Sequence, residues 1–321
     1  MTLLRFISLR ILFTIPTLFG LVTLVFFLTR LLPGDAASVF IGPGVPPALA
    51  DDLRRQFGLD QPLFEQYVSY IGSVFTGNLG HSFTHHAPVT TVLAEVLPNT
   101  ALLGIAALIL EILLAVSLAF FAARNTGSLS DRIISQGSLI AYALPSFWVG
   151  ILLLTFFSYG LDIFPSSQMR SSSVSGESSL GGIALHLVLP AFTVAIPGAA
   201  LLTRFLRSSL GRIENQEYVM VAKSMGVSES RIFRSYVLPN AIGPVISLIG
   251  VECGILLTGV VVTETLFAWP GMGRLVVVSI FARDYPLLLG CTLVAGFIVI
   301  AANTLADLLQ KMIDPRLRLD A

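Results

Sequence analysis

The chain is short of charge. Asp, Glu, Lys and Arg together make up 12% of its 321 residues, about half of the roughly 25% usual in a soluble domain. With 55% apolar residues there is too little polar surface to coat a globule in water. Neither sign of charge dominates, since 19 basic residues balance 19 acidic ones. No basic stripe outside the loops identified below offers a nucleic acid its footprint. Cysteine is scarce too. Cys253 and Cys291 both lie in apolar runs without a Cys-x-x-Cys spacing, so they read as small buried hydrophobes.

The missing motifs exclude as much as the missing charge. No Gly-x-x-x-x-Gly-Lys-Ser/Thr phosphate loop occurs, so this chain is not an ATP hydrolase of that class. Within the apolar segments there is no Ser/His pair, no Gly-x-x-x-Asp with a second aspartate and no His-Glu-x-x-His, which argues against an intramembrane protease. His81, His85 and His86 cluster in a polar stretch, and imidazole suits nickel, zinc or copper. Three histidines in a loop are more often a solvated surface, and no metal ligand set is assigned. His186 reads as an interfacial residue.

What the chain has in abundance is long apolar runs, with a mean hydropathy of +0.85. Crossing the hydrocarbon of a bilayer takes about 20 such residues as a helix. Six stretches qualify: 10–30, 99–123, 133–158, 186–206, 241–263 and 286–309. Pro145 interrupts the third, and Pro190 and Pro197 the fourth, which neighbouring helices can tolerate by satisfying the freed carbonyls. The first run is too long for a signal peptide and has no cleavage site after it, so it reads as a helix that stays. An all-α integral membrane protein of about six transmembrane helices is expected.

Orientation follows from the basic residues near the helix ends. With the N-terminus in the cytoplasm, most of the 19 fall inside: Arg5 and Arg10, Arg124 and Arg132, the group from Arg204 to Arg234, and Lys311, Arg316 and Arg318. Both termini are therefore expected in the cytoplasm. Outside lies a polar insertion, residues 31–98. Short helices are expected there at Pro47 to Phe57 and at Pro62 to Phe75, the latter with Leu63, Tyr67, Ile71 and Val74 on one face. A serine-rich loop at 171–179 and a turn at Trp269-Pro270-Gly271 follow, with Trp269 placed at the membrane interface.

Residues 207–240, on the inner side, are the most informative. Asn215 is expected to cap a helix with Glu217 in its first turn and Tyr218, Val221, Ala222 and Met225 on its apolar face. Gly226 stops that helix. Ser228 is expected to cap a second one, with Ile232, Phe233, Tyr236 and Val237 on its apolar side, before Leu238-Pro239-Asn240 begins the fifth membrane segment. On spacing alone this pair is an interfacial loop resting on lipid.

Family resemblance sharpens the reading. Residues 220–239 resemble the "EAA" loop of ABC importer permeases, which reads Glu-Ala-Ala, three residues, Gly, nine residues, Ile, one residue, Leu-Pro. The chain matches at Ala222, Gly226, Leu238 and Pro239, and departs at Met220, Val221 and Tyr236. Leu32-Pro33-Gly34-Asp35, Gly58-Leu59-Asp60-Gln61-Pro62-Leu63, Gly77-Asn78-Leu79-Gly80-His81-Ser82 and Pro145-Ser146-Phe147-Trp148 resemble the dipeptide/oligopeptide branch. So do Glu264 to Gly273, Arg283-Asp284-Tyr285-Pro286 and Asp314-Pro315-Arg316. In order along nearly the whole chain, they identify it as similar to the B-type permease subunit of peptide/nickel ABC importers.

That resemblance implies a type I ABC importer (MetI-like) permease fold in a bacterial inner membrane. It divides the chain into a first helix with its external insertion (1–92), a five-helix core (93–310) holding the coupling loop 207–240, and a cytoplasmic tail (311–321). The implied partners are membrane lipid, a second (C-type) permease, two cytoplasmic ATPase subunits and an external substrate-binding protein. ATP and Mg would sit on the ATPases, and no cofactor on this chain. Glu217, Ala222, Lys223, Gly226, Leu238 and Pro239 are the expected coupling residues. Charged and amide groups within apolar segments are costly and often mark a pathway. Glu111, Glu252 and Asn303 are therefore candidates for a translocation path, with Asp307 a weaker one. Peptides are the expected cargo, with nickel or a metal chelate as the alternative. A channel or a proton-coupled secondary transporter, working through Glu111 and Glu252 without ATP, is the more distant rival.

Overall fold

The computed structural model describes residues 3–31, 60–169 and 180–313. The expected helix at Pro47 to Phe57, the serine-rich loop, the Leu32-Pro33-Gly34-Asp35 and Asp314-Pro315-Arg316 motifs and the 311–321 tail lie wholly or mainly outside them. So do the side chains of Glu252, Cys253 and Asp307.

Among the described residues every named element is helical. In chain order they are α1 (Leu3–Leu31), α2 (Leu63–Phe75), α3 (Val89–Arg124), α4 (Leu129–Ala143) and α5 (Ser146–Leu153), which runs on as a π-helix, Leu154–Gly160. Then come α6 (Leu180–Glu214), α7 (Glu217–Ser224), α8 (Glu229–Ile232) with a π-turn Phe233–Val237, α9 (Leu238–Leu266), α10 (Met272–Phe281) and α11 (Tyr285–Ile313). Three of them are long and apolar enough to cross a membrane: Val89–Arg124, Gly181–Glu214 and Tyr285–Leu305. The bent pair Leu129–Ala143 and Ser146–Gly160 counts as a fourth crossing if taken as one span. The expected first and fifth segments fall within α1 and α9, whose side chains are described only in part.

The third segment corrects the sequence reading, because it is not one helix. The chain turns by 107° between Ala143 and Ser146. Proline disfavours helical backbone in the residue before it. Leu144 is accordingly extended, with ψ 133°, and Pro145 starts a new helix. Pro190 and Pro197 behave differently, and α6 passes through both unbroken.

The chain divides into two compact units. One comprises the described residues within 101–269 and 301–313. Its centre is α6, against which α4, α5 and α9 pack. Helices in lipid gain no hydrophobic drive toward one another, so close packing depends on small residues. Ala191, Ala195, Ala199 and Ala200 of α6 are all buried. Trp269, expected at an interface, is instead fully buried among Leu103, Ala107, Ala191, Val194 and Val260. Its indole is a core side chain because Ala268 takes a left-handed φ of +50° and folds the chain back, while the Trp269 N–H donates to the Glu264 carbonyl at 2.8 Å.

The other unit comprises Thr2–Thr100 and Pro270–Ile300. The expected helix from Pro62 is present as α2, and it lies on α1. The Tyr67 hydroxyl meets Thr23 Oγ1 at 2.7 Å, and Phe26 stacks on Tyr70. Two of the family-like motifs, far apart in sequence, meet here. The buried Asp284 carboxylate accepts from Ser82 Oγ (2.6 Å), Thr84 N–H (3.0 Å) and Thr84 Oγ1 (2.8 Å). It also accepts the Leu287 N–H at 3.2 Å, which caps α11. Asp284→Ala removes the cap and all three loop contacts. The expected cost is about 1–3 kcal/mol, visible as faster amide hydrogen exchange at Thr84 and Leu287. Exchange at the wild-type rate would show that the clasp holds nothing.

Candidate functional site

The loop 207–240 folds as a compact knot on the ends of the helices around it. Val219 and Ala222 of α7, Ile232 of α8 and Val237 of the π-turn are buried in one apolar cluster. Their partners are Ala115 and Ala119 of α3, Leu202, Leu206 and Leu210 of α6, and Ala241 and Val245 of α9. Phe120 and Phe233 meet edge to face at 5.5 Å between centroids. Ser209 Oγ donates to the Ala241 carbonyl at 3.1 Å, which ties α6 to the start of α9.

The turn after α7 is a Schellman motif. Gly226 has φ +78°, the Val227 N–H reaches the Ala222 carbonyl at 3.2 Å, and the Gly226 N–H reaches the Lys223 carbonyl at 3.0 Å. A left-handed residue at this position is nearly free of cost only for glycine. Beyond the turn the chain does not break again. From Glu229 it stays helical through the π-turn into α9, because Pro239 has no N–H to give to an i−4 carbonyl and the preceding turn widens. The expected second short helix is thus the root of the long helix that follows.

Three local expectations need correcting. Gln216, not Asn215, stands at the N-cap position of α7 and its side chain makes no capping bond, while the Asn215 amide donates back to the Gly211 carbonyl at 2.8 Å. Ser228 stands at the start of α8, but its side chain makes no capping bond. The expected apolar face of Tyr218, Val221, Ala222 and Met225 is split: Tyr218, Val221 and Met225 are exposed, while Ala222 is buried together with Val219. The inward face of this helix is therefore Val219 with Ala222, which join the cluster formed with α3 and α6.

The six expected coupling residues are all within this knot. Ala222 is buried and Gly226 makes the turn. Leu238, half-buried, and Pro239, exposed, open α9. Glu217 is exposed in the first turn of α7. Lys223 reaches back to Glu214 at the end of α6, 3.3 Å away, an exposed pair worth at most about 1 kcal/mol.

The path candidates stand apart from the knot. Glu111, on α3, is fully buried. A Cβ placed on Gly198 of α6 would lie 2.5–2.7 Å from its carboxylate atoms, so a larger residue there would have to push the carboxyl group aside. Asn303 is half-buried on α11. His81, His85 and His86 do not converge: among the described residues no group of three or more His, Cys, Asp or Glu side chains is placed to hold a metal ion.

One pair has no counterpart in the sequence reading. Arg207 of α6 grips Asp131 of α4 with two bonds, Nε to Oδ1 at 2.5 Å and a terminal nitrogen to Oδ2 at 2.6 Å. Asp131 also takes the Gly127 N–H at 2.9 Å, and its own N–H is capped by Ser128. The Ser128-x-x-Asp131 spacing carries a capping signal that marks Asp131. Nothing in the sequence points from it to Arg207.

Comparison with known proteins places these features in a family context. The profile described as "binding-protein-dependent transport system inner membrane component" matches residues 115–319, and its N-terminal companion matches residues 3–104. The oligopeptide transport system permease protein AppB of Bacillus subtilis is 33% identical over 309 residues, covering 96% of this chain and 97% of that one. The di/tripeptide transport system permease protein DppB of Pseudomonas aeruginosa is 33% identical, covering 98% and 99%. The dipeptide transport system permease protein DppB of Escherichia coli K12 is 32% identical with the same coverage.

The Asp131–Arg207 contact makes a direct prediction. Asp131→Ala and Arg207→Ala should each destabilise the protein by about 1–3 kcal/mol, and the double variant by little more than either single one. Thermal unfolding of the purified protein in detergent gives the cycle. Additive single effects would mean the pair does not act as a unit.

Proposed function

The chain belongs to the family of binding-protein-dependent transport system inner membrane components, and on that premise we propose that it is the permease subunit of an ATP-driven importer carrying dipeptides or oligopeptides across a bacterial inner membrane. The observation that carries the reading is the loop 217–240. A short helix seated on the ends of α3 and α6 is joined, through the turn at Gly226, to an uninterrupted helical path into α9. A displacement applied to α7 is thereby delivered to a membrane helix as a rigid movement.

In this reading six helices cross the membrane with both termini in the cytoplasm, as the distribution of Lys and Arg favours. ATP and Mg are held by two separate cytoplasmic ATPase subunits. A second, C-type permease completes the membrane pair, and an external binding protein delivers substrate. Glu217 faces the ATPase, Lys223 fixes α7 to α6 through Glu214, and Ala222 seats the helix. Gly226 sets the angle, and Leu238 and Pro239 begin the moving helix. Glu111 closes a gate at Gly198 and, with Glu252 and Asn303, serves the translocation path. These relatives are named for peptides, which supports peptide cargo over nickel or a metal chelate.

The test uses the assembled transporter in proteoliposomes. Uptake of a labelled dipeptide should require both ATP and the binding protein. Uptake by this chain alone under a proton gradient would overturn the importer reading. Gly226→Pro, which can neither adopt φ +78° nor donate to the Lys223 carbonyl, should leave ATP hydrolysis running while uptake falls by about tenfold or more, equivalent to about 1.4 kcal/mol. Gly226→Ala should be milder, because no atom lies within 4 Å of the added Cβ and only the backbone cost of about 1–2 kcal/mol remains. Wild-type uptake by the proline variant would remove the loop from the coupling path.

A further inference from the structure

Beside α1 runs an apolar groove of about 320 Å3, all of it within one compact unit. Leu18 and Val22 of α1, Ile71 and Val74 of α2, and Leu293 and Phe297 of α11 line it. Two contacts shape it. Gly296 lets α11 close on α1, because a Cβ there would run into the Leu21 side chain. α2 is fastened to α1 at one end, through Tyr67 to Thr23 and the stacking of Tyr70 on Phe26. Beyond that clasp the last turns of α2 border a space that the three helices share.

Depth and chemistry together identify the occupant. Arg10 and Arg30 bound the apolar run of α1, about 30 Å apart at about 1.5 Å per residue, the thickness of a bilayer's hydrocarbon. The groove takes Ile15 to Val22 from the middle of that run. Ile15, Phe75 and Phe297 on its rim are exposed, so its wall continues onto the outer faces of all three helices. Water does not suit such a space, since it needs about two to four polar partners and the lining has no polar side chain to offer. A peptide would bury N–H and C=O groups without partners there. A packed helix, about 10 Å across, would need more than twice that volume over the roughly 10 Å from Ile15 to Val22. A void would cost the lining its dispersion contacts. A single flexible strand of hydrocarbon meets every requirement.

We propose that the groove is a lipid site, holding one acyl chain of a membrane phospholipid between α1, α2 and α11. It rests on the first membrane crossing proposed above, and it is independent of the cargo and of the coupling loop. Lipid tails are as apolar as the lining, so the site selects by shape rather than by hydrophobicity. Three helices surround the held chain, where an open helix face touches a passing lipid on one side only. The held chain completes the packing of Ile71 and Val74, and so seats the end of α2 that the aromatic clasp does not reach.

The experiment uses the assembled transporter in vesicles containing phosphatidylglycerol with a photoreactive diazirine in one acyl chain. One sample is irradiated in the vesicle, and a second only after transfer to detergent and washing. Labelled residues are then mapped by peptide mass spectrometry. In the vesicle, label is expected in the groove and equally at Phe13 and Ile109, which are exposed on α1 and α3. After washing it should persist at Val74 and Leu293 and fall by at least about tenfold at Phe13 and Ile109. Val74→Trp fills the groove and should remove the retained label from Leu293, with thermal unfolding as the check that the variant folds. Leu293→Phe, read at Val74, repeats the test if the first variant unfolds. Label that washes from the groove as readily as from Ile109, or that stays in a folded, filled variant, overturns the site and leaves the crossing standing. A groove unlabelled in the vesicle beside a labelled Phe13 shows that protein covers it, and overturns the site equally. No label on α1 in either sample overturns both the site and the crossing.

Discussion

A helix in a bilayer can satisfy its own backbone, but it gains nothing from hiding apolar side chains from neighbours that are as apolar as the lipid. Contact must come from shape. In the unit built around α6 that constraint is met by making the central helix thin: Ala191, Ala195, Ala199 and Ala200 are buried along it, and Gly198 leaves room for a carboxyl group. Pro190 and Pro197 sit in the same helix without breaking it. Each removes one backbone donor, so the carbonyls of His186 and Thr193 lose their usual i+4 partners. A helix loosened in this way and packed by small surfaces is suited to sliding against its neighbours while remaining a helix.

The loop knot obeys the opposite rule. Here the buried side chains are large: Leu202, Leu206, Leu210 and Ile232, with Phe233 packed against them. The knot is tied to its surroundings by Arg207 to Asp131 and Ser209 to Ala241, and more weakly by the exposed Lys223–Glu214 pair. On the coupling role proposed above, these ties would pass a displacement of the loop on to the helices.

Much of this is legible from residue order. The apolar runs locate the long helices, Pro62 and Gly226 mark a start and a stop, and Leu238-Pro239 marks the root of α9. The failures share a cause. Helical spacing groups Tyr218, Val221, Ala222 and Met225 on one face, yet Ala222 is buried with Val219 while the other three are exposed, because the surfaces a short helix meets decide which residues turn inward. Residue type alone sends Trp269 to an interface, whereas the left-handed Ala268 turns it into the core. Pro145 and Pro190 look alike in sequence, yet one accompanies a 107° bend and the other none. Arg207 with Asp131 and Ser82 with Asp284 are contacts across the fold, and no local pattern encodes them.

The roll of α7 carries the last step. Two stripes compete to face α3 and α6: Val219 with Ala222, or Tyr218 with Val221 and Met225. If burial within the chain were all that mattered, the larger stripe would turn inward, because at about 25 cal/mol per Å2 it would contribute more. The fold turns the smaller one inward. Ala222 shares its buried cluster with Ala115 and Ala119, and a tyrosine in its place would overpack that cluster. The Schellman turn at Gly226 then holds that roll. A chain that leaves its larger apolar stripe outward gives up stability when alone and recovers it only when another surface covers the stripe. That is the energetics of a subunit built to be completed by a partner.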